Sequence, residues 1–314
     1  MNISMKQLRS VVAIHKHSKI SYAAKTLGLT SPAVTLQLKQ LEEELGTQLF
    51  MRTRQGAIPT EAGSLLIETA GRILNNIDEL GERLEELKGN KRGTLTLGVV
   101  STGKYFAPRM IAAFSKEHPN IDIHLTTANR QEIVEALEKY EIDMALMGRE
   151  PQHFNVSVNH IGDHPLVFIA HPNNPLGNRL DLSREELVEH KIIVREKGSS
   201  TRAAFEFFMA EAFSDREMFH TVMQSNETIK QAVMADLGIA LISGHTIEHE
   251  TQSGLLKILD VEETPIRRQW HSVHRADRNP TPAMNAFNQF LKENGMQLLP
   301  IVSKTYTGES WEKR

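Results

Sequence analysis

The run from Thr60 to Lys88, which contains no proline, constrains most strongly how this chain can fold. Apolar residues recur along this run in a heptad pattern, which is typical of a coiled coil. The apolar side chains of such a seam need a second helix to cover them. Such a helix spans ~40 Å. We therefore predict that residues 61–93, including a glycine-containing hinge at 89–93, link two domains and pair two chains. The apolar residues of the seam recur at alternating intervals of four and three: Leu66, Ala70, Ile73, Ile77, Leu80, Leu84 and Leu87.

The segment before this helix is small and basic. Residues 1–60 contain eight Lys or Arg and three acidic residues, whereas the rest of the chain contains 28 basic and 36 acidic residues. A basic module joined to an acidic body suits a contact between the first segment and phosphate groups. We therefore expect residues 1–60 to form a nucleic-acid-binding domain.

A helix-turn-helix is predicted within this segment. Ser21 can cap a short helix over residues 22–27, and Gly28 suits the left-handed position after its end. Ser31 can cap the next helix, with Pro32 in its first turn. That helix carries a single apolar stripe, and two short helices joined by a tight glycine turn describe a helix-turn-helix.

The candidate DNA contacts lie on the second of these helices and on a hairpin wing that follows it. A recognition helix meets base edges with the residues near its N-terminus. A hydroxyl can bond to a base edge, a leucine can pack on a thymine methyl group, and wing arginines can reach phosphates or a narrow minor groove. The candidates are Ser31, Pro32, Thr35, Leu36, Lys39, Arg52 and Arg54.

Strands and helices alternate after the linker, which predicts α/β structure with an all-α N-terminal part. The first run of strands is predicted at 94–100, 121–125 and 144–147, and the second at 166–170, 191–195, 221–224 and 239–242. A strand at 268–274 and a helix at 280–291 then return to the first run. We predict lobe I at 94–162 and 268–294, lobe II at 163–267, and a C-terminal tail at 295–314 that is polar from Pro300 onward.

Polar residues gather where these predicted strands end and helices begin. Ligands of open α/β sheets bind at such points, close to helix N-termini. The basic side chains among them favour an anionic small molecule, although plain helix capping explains each hydroxyl or amide taken alone. The candidate effector-binding residues are Ser101, Thr102, Lys104, Asn129, Arg130, Gly148, Arg149, Ser199, Ser200, Thr201, Arg202 and Asn226.

Four blocks in the first part of the chain resemble the winged helix-turn-helix of LysR-type transcriptional regulators. They are Ala23-Ala24 with Leu27, PAVTLQLKQLE at 32–42, LGTQLF at 45–50 and TEAG at 60–63. The resemblance continues to about residue 294. It implies a winged helix-turn-helix, a long coiled-coil linker helix and a two-lobed effector domain with the type-2 periplasmic-binding-protein fold.

Three further blocks look most like the branch that regulates carbon-dioxide-fixation operons, the CbbR type: STGKYFAP at 101–108, Met147-Gly148-Arg149 and Thr35-Leu36-Gln37. Members of that branch answer to phosphorylated sugars and related metabolites. The family resemblance also implies partners: double-stranded DNA with a two-fold symmetric operator, RNA polymerase, and further copies of the chain in dimers and tetramers.

Two other functions compete with this interpretation. His245-Thr246-Ile247-Glu248-His249 matches an inverted zinc-protease pattern, in which two histidines one helical turn apart bind zinc and the glutamate acts as base. A two-lobed binding protein without DNA function is the second alternative, but it leaves the basic first segment unexplained. The chain contains no cysteine, and it shows no signal peptide or long apolar run. We expect a cytoplasmic regulator without a cofactor, a metal site, enzymatic activity or a membrane contact.

Overall fold

The computed structural model of the protein describes residues 2–54, 56–87, 93–212 and 220–302. These residues form two compact units. The first unit contains the described residues up to position 87 and the segments 138–141 and 277–282, and the second contains the others. Most of the predicted hinge, residues 89–92, and residues 303–314 of the predicted tail lie outside the described residues.

Helices and one hairpin build the first unit, in the order predicted for a winged helix-turn-helix. The apolar stripes of its helices meet in one core that includes Val11, Ile14, Val34, Leu41 and Leu49. The helices are α1 (Met5–His17), α2 (Ile20–Thr26), α3 (Ser31–Leu45) and α4 (Glu61–Leu87), and the antiparallel hairpin is β1 (Phe50–Thr53) with β2 (Gly56–Pro59).

The helix α3 is capped one residue earlier than predicted. Thr30, not Ser31, has the extended backbone of an N-cap, and its hydroxyl oxygen accepts a hydrogen bond from the backbone N–H of Ala33 at 3.4 Å. Ser31 and Pro32 are therefore the first two helical residues. Proline is tolerated there because the N–H groups of a first turn have no partner within the helix.

The helix α2 also differs from the prediction at its start. It begins at Ile20 after Lys19, which makes no side-chain capping bond, so Ser21 lies inside the helix instead of capping it. The end of α2 is as predicted. Gly28 follows it with a φ of +64°, a left-handed conformation that glycine adopts without steric cost.

The apolar seam of α4 has two differently covered parts. Leu66 packs against the core of the first unit, and Ala70 is fully buried. The later seam residues are exposed over more than a third of their surface: Ile73, Ile77, Leu80 and Leu84. The first part of the seam is therefore covered within the chain itself, in contrast to the prediction of a coiled coil throughout. Among the described seam residues, the later ones still need a partner.

Two glycines of α4, Gly63 and Gly81, differ in the space around them and should therefore respond differently to substitution by alanine. A Cβ at Gly63 would lie 1.9 Å from the backbone oxygen of Leu49, whereas a Cβ at Gly81 would meet nothing within 4 Å. We expect Gly63→Ala to destabilise the protein by about 1–3 kcal/mol, since the backbone must move. Gly81→Ala should stabilise it by about 0.5–1 kcal/mol through helix propensity. Urea unfolding followed by circular dichroism measures both, and equal effects of the two substitutions would contradict the close contact.

One sheet runs through the second unit, in the order β4-β3-β5-β11-β6-β9-β7-β8, with β10 paired to β6. Its strands are β3 (Gly93–Val100), β4 (Ile121–Ala128), β5 (Met144–Met147), β6 (Val156–Ala170), β7 (Ile192–Arg195), β8 (His220–Met223), β9 (Ile239–Ser243), β10 (Lys257–Ile258) and β11 (Ile266–Arg275). The helices are α5 (Ala107–Glu117), α6 (Arg130–Glu138), α7 (Arg184–Val188), α8 (Ser200–Met209), α9 (Asn226–Met234), α10 (Glu248–Gln252) and α11 (Pro282–Asn294).

Two groups of parallel strands divide this sheet. The strand β3 lies parallel to β4 and β5, and β7 lies parallel to β8 and β9. We use lobe I for the part built on β3–β5 with α5, α6 and α11, and lobe II for the part built on β7–β9 with α7–α10. Each lobe has its own apolar core, around Phe106, Phe114 and Phe287 in lobe I and around Phe168 and Phe205 in lobe II.

The strand β6 is longer than predicted and belongs to both lobes. It extends over 15 residues, although the apolar pattern predicts a strand only from Leu166. The pattern misses the first part because residues 159–165 carry mostly polar side chains, a glycine and a proline. That part pairs antiparallel with β11, and the last part pairs with β9. Both β6 and β11 therefore pass from one lobe into the other. Among the described residues, no helix is long and apolar enough to cross a membrane.

Candidate DNA-binding surface and effector site

The outward face of α3 carries the predicted base contacts. Leu36 is 55% exposed, and Pro32 and Lys39 are exposed with it. The Lys39 ammonium lies 3.6 Å from the carboxylate of Glu43 on the next turn, and such a largely exposed pair contributes little to stability. These side chains remain available to a partner surface.

Thr35 is half-buried beside this face. Its hydroxyl donates to the backbone oxygen of Ser31 at 2.9 Å. The lone pairs of the hydroxyl oxygen can still accept from a base amino group, so Thr35 can read a base as an acceptor. Ser31 itself is half-buried at the start of the helix.

The wing is held against the helices by two sets of backbone contacts. The carboxylate of Glu42 on α3 accepts from the N–H groups of Leu49 at 2.8 Å and Phe50 at 3.4 Å. On the other strand, the N–H of Ala57 donates to the oxygen of Ser18 at 2.7 Å. The exposed Arg52 and Arg54 are therefore carried by a hairpin with a fixed base.

Sequence reasoning missed one exposed aromatic on this part of the chain. Tyr22 on α2 is 56% exposed, and the Lys19 ammonium lies 5.9 Å from its ring centroid. The sequence signal for Tyr22 was its position outside the apolar stripe of the helix, which predicts an exposed aromatic side chain.

A basic pocket of about 310 Å³ lies within the second unit. Four arginines and one lysine line it against a single acidic residue. Five of its lining residues were predicted, namely Arg130, Arg149, Ser199, Ser200 and Arg202, and the others are Lys197, Gly198, Ala203, Glu206 and Arg268. Such a charge balance at a concave surface favours an anion.

Arg149 repels two other arginines of the pocket. Burial, and after it the charge of Arg149, lowers the pKa of both Arg130 and Arg268. The Arg130 guanidinium donates to the backbone oxygens of Arg149 at 3.2 Å and Glu150 at 3.0 Å, which fixes its place but does not neutralise it. A bound anion would relieve this repulsion.

The start of α8 supplies the opposite wall of the pocket. Ser199 is its N-cap, yet the Ser199 hydroxyl makes no capping bond although the residue is 93% buried. The backbone N–H groups of a first helical turn have no partner within the helix and attract anions. Arg202 pairs with Glu206 at 2.7 Å on the next turn.

The other predicted effector residues do not line this pocket. Asn129 caps α6, and its side-chain oxygen accepts from the N–H of Glu132 at 3.0 Å. Gly148 lies beside His164, since a Cβ there would come 2.7 Å from the Nδ1 atom. Thr102 and Thr201 are buried, Ser101 and Lys104 take part in contacts between the lobes, and Asn226 binds Arg195 within lobe II.

Arg195 is the centre of the first interlobe contact. It is 2% exposed, and its guanidinium donates two bonds of 2.8 Å to the carboxylate of Glu196. It also donates to Asn226 on α9 at 2.5 Å and to the hydroxyl of Ser101 in lobe I at 3.1 Å. A buried charge requires such partners.

Glu227 is the centre of the second interlobe contact. Its carboxylate accepts from the Lys104 ammonium at 2.5 Å and from the Tyr105 hydroxyl, both in lobe I. Burial, and after it the hydrogen bond to Glu227, raises the pKa of Tyr105. The Lys230 ammonium lies 4.7 Å from the Tyr105 ring centroid. Sequence reasoning missed Tyr105 and Glu227 as partners across the cleft.

The possible zinc motif does not have the geometry that zinc binding would need. His245 lies in a short 3₁₀ turn and His249 in α10, so the two histidines do not share one helix. The Nδ1 atom of buried His245 accepts from the indole N–H of Trp270 at 3.1 Å, whereas His249 is exposed. Within the described ranges, no three His or carboxylate side chains lie close enough to hold a metal ion.

Comparisons with known proteins agree on one family. The family profile of the LysR substrate binding domain matches residues 88–295, and that of the lysR-family bacterial regulatory helix-turn-helix protein matches residues 5–64. Over 310 residues, 99% of each chain, the protein is 49% identical to the HTH-type transcriptional regulator CbbR of Sinorhizobium medicae (strain WSM419).

Two further relatives extend this finding. The RuBisCO operon transcriptional regulator of Allochromatium vinosum is 40% identical over 292 residues, covering 93% of this chain and 96% of that protein. The regulatory domain of Synechocystis PCC6803 CcmR in complex with 2-PG is 30% identical, with a TM-score of 0.61 over 65% of this chain and 98% of that one. The CbbR and RuBisCO operon relatives are both named as transcriptional regulators. The chain therefore belongs to the LysR family of DNA-binding bacterial transcriptional regulators.

Proposed function

We propose that this regulator controls a carbon-dioxide-fixation operon and senses a small anionic metabolite in the basic pocket. The observation that carries the proposal is the charge of the pocket, where four arginines and a lysine face one glutamate. Its relatives support it, since two of them are named for CbbR and for the RuBisCO operon, and CcmR binds 2-PG. We propose that the protein acts by binding alone, without catalysis.

The DNA contacts are proposed on the first unit. The outward side chains of α3 would enter the major groove and the wing arginines would meet phosphates. The exposed second part of the α4 seam supports pairing with a second copy, which suits a two-fold symmetric operator. Tetramers and a contact with RNA polymerase remain expectations from the family.

One binding experiment tests the proposed function. Fluorescence anisotropy would compare the purified protein on the intergenic DNA beside its own gene and on a scrambled duplex, with and without 2-PG and a panel of phosphorylated sugars. We expect salt-sensitive, sequence-selective binding that one of these anions shifts. Selective DNA binding without a response to any anion would reject the sensing role, and equal affinity for both duplexes would reject the operator.

The same assay separates the two kinds of DNA contact. We expect Arg54→Ala to weaken binding to specific and scrambled DNA alike and to lower the salt dependence, because a phosphate contact is lost. Thr35→Ala should mainly reduce the preference for the specific duplex, by about 1–3 kcal/mol. Lys116→Ala, an exposed lysine on α5, is the control. Equal losses on both duplexes for Thr35→Ala would contradict its role as a base reader.

A further inference from the structure

We propose that Arg195 is a positioning residue that sets the distance between the two walls of the basic pocket by binding Ser101 across the cleft. The inference rests on the proposed function, because it concerns how that pocket holds its anionic ligand. It assigns Ser101 a partner within the protein, in place of the direct ligand contact expected from the sequence.

The main chain at Arg195 holds the lobe II wall. Arg195 is the last residue of β7, and residues 197–200 and Arg202, which follow it, line the pocket. The Arg202 guanidinium donates to the backbone oxygen of Arg195 at 3.1 Å. The N–H of Ser199 donates to the oxygen of Glu196 at 3.3 Å. The wall therefore moves together with the end of β7.

The side chain of Arg195 reaches the other lobe. Its guanidinium is kept in one orientation by the two bonds to Glu196 and the bond to Asn226, all within lobe II. The remaining bond goes to the Ser101 hydroxyl, directly after β3 of lobe I. Because the guanidinium is planar and its orientation is already determined, this bond defines a distance between the lobes.

Ser101 is in turn tied to the lobe I wall. Its N–H donates to the oxygen of Ala128 at 2.8 Å, at the end of β4 and two residues before Arg130. Arg130 then binds the backbone at Arg149. Hydrogen bonds, with the main chain from Ala128 to Arg130, thus connect Arg202 on one wall, through Arg195 and Ser101, to the arginines of the other wall.

The charge of the pocket explains why such a connection matters. Basic side chains on both walls repel each other when no anion is bound, which favours a wider pocket. The bond between Arg195 and Ser101 opposes this widening. Without it, a ligand must first bring the walls together, and its observed affinity falls by the cost of that rearrangement.

Calorimetric titration of 2-PG into the full-length protein tests the role. We expect Ser101→Ala to weaken binding about five- to tenfold, with the affinity restored by Ser101→Thr, which keeps the hydroxyl. Arg195→Lys should weaken binding similarly, since a lysine cannot hold Glu196, Asn226 and Ser101 in one plane. The double variant should lose no more than either single variant, because both remove the same link. Ser157→Ala, an exposed serine on β6, is the control.

The outcomes separate the inference from the function on which it rests. Additive losses would mean that Ser101 contacts the ligand directly and would overturn the positioning role. Wild-type affinity in Ser101→Ala would also overturn it while leaving the effector pocket in place. If the wild-type protein binds neither 2-PG nor any phosphorylated sugar, the proposed effector site is wrong and the positioning role with it. Thermal melts confirm that each variant is folded.

Discussion

Arg268→Met should weaken anion binding strongly and at the same time raise the melting temperature. Arg268 is half-buried in the pocket, and burial and the charge of Arg149 lower its pKa. Methionine keeps the apolar stem but removes a charge that its neighbours repel. A lost hydrogen bond to a charged group costs about 1.5–3 kcal/mol, which corresponds to about a tenfold to 150-fold weaker affinity for 2-PG.

The neighbouring arginine on the same strand is the matched control. Arg267 precedes Arg268 on β11, points to the opposite face of the sheet and does not line the pocket. Arg267→Met should therefore leave the affinity for 2-PG at the wild-type value. Calorimetry and thermal melts measure both quantities. A lower melting temperature for Arg268→Met would show that the arginines of the pocket do not repel one another in the folded protein.

The second large effect is a loss of stability in acid that comes from buried histidines. Burial, and after it the charge of Arg109, lowers the pKa of His245 from 6.5 to about 4, and burial lowers that of His164 well below its usual value. The unfolded chain takes up these protons below pH 6.5 and the folded protein does not. The unfolding free energy should therefore fall as pH decreases from 6.5 to 4, by about 3 kcal/mol for His245 alone.

The hydrogen bond from Trp270 gives the structural reason. The Nδ1 atom of His245 accepts from the indole N–H, so a proton on that nitrogen would leave two donors facing each other. His245→Asn keeps an acceptor near that position without a titrating group, and its stability should fall by about 3 kcal/mol less over the same pH range. His124→Asn, at an exposed histidine on β4, should retain the wild-type slope in urea unfolding. Equal slopes in all three proteins would contradict the assignment.

The first unit could be predicted from the sequence because its signals are local. An apolar stripe, a glycine after a helix and a proline in a first turn each depend on neighbours a few residues away. The same locality explains the errors, since Thr30 and Ser31 are both good caps and only the backbone conformation selects Thr30. The continuous seam of α4 did not reveal that Leu66 packs on the globular core, because periodicity does not state which surface covers a residue.

The effector site was predictable only in part, because contacts between residues that are distant in the sequence form much of it. Residues at strand ends, such as Arg149 and Ser199, follow from the rule for open α/β sheets, and they line the pocket. Arg268 was missed because it lies inside β11, and an antiparallel pairing between distant segments brings it to the same place. Ser101 and Asn226 stand at equally good strand ends, but Arg195 binds Asn226 within lobe II and Ser101 across the cleft, and periodicity cannot reveal either contact.

The strands β6 and β11 make it difficult to separate lobe I from lobe II. The strand β6 bonds β9 of lobe II, β11 bonds β5 of lobe I, and the two strands pair with each other over most of their length. A chain cut between the lobes would leave each fragment with half of both strands and with unpaired sheet edges, which promote aggregation. We therefore expect neither lobe to fold as a separate recombinant protein, and any movement between the lobes to twist the two shared strands.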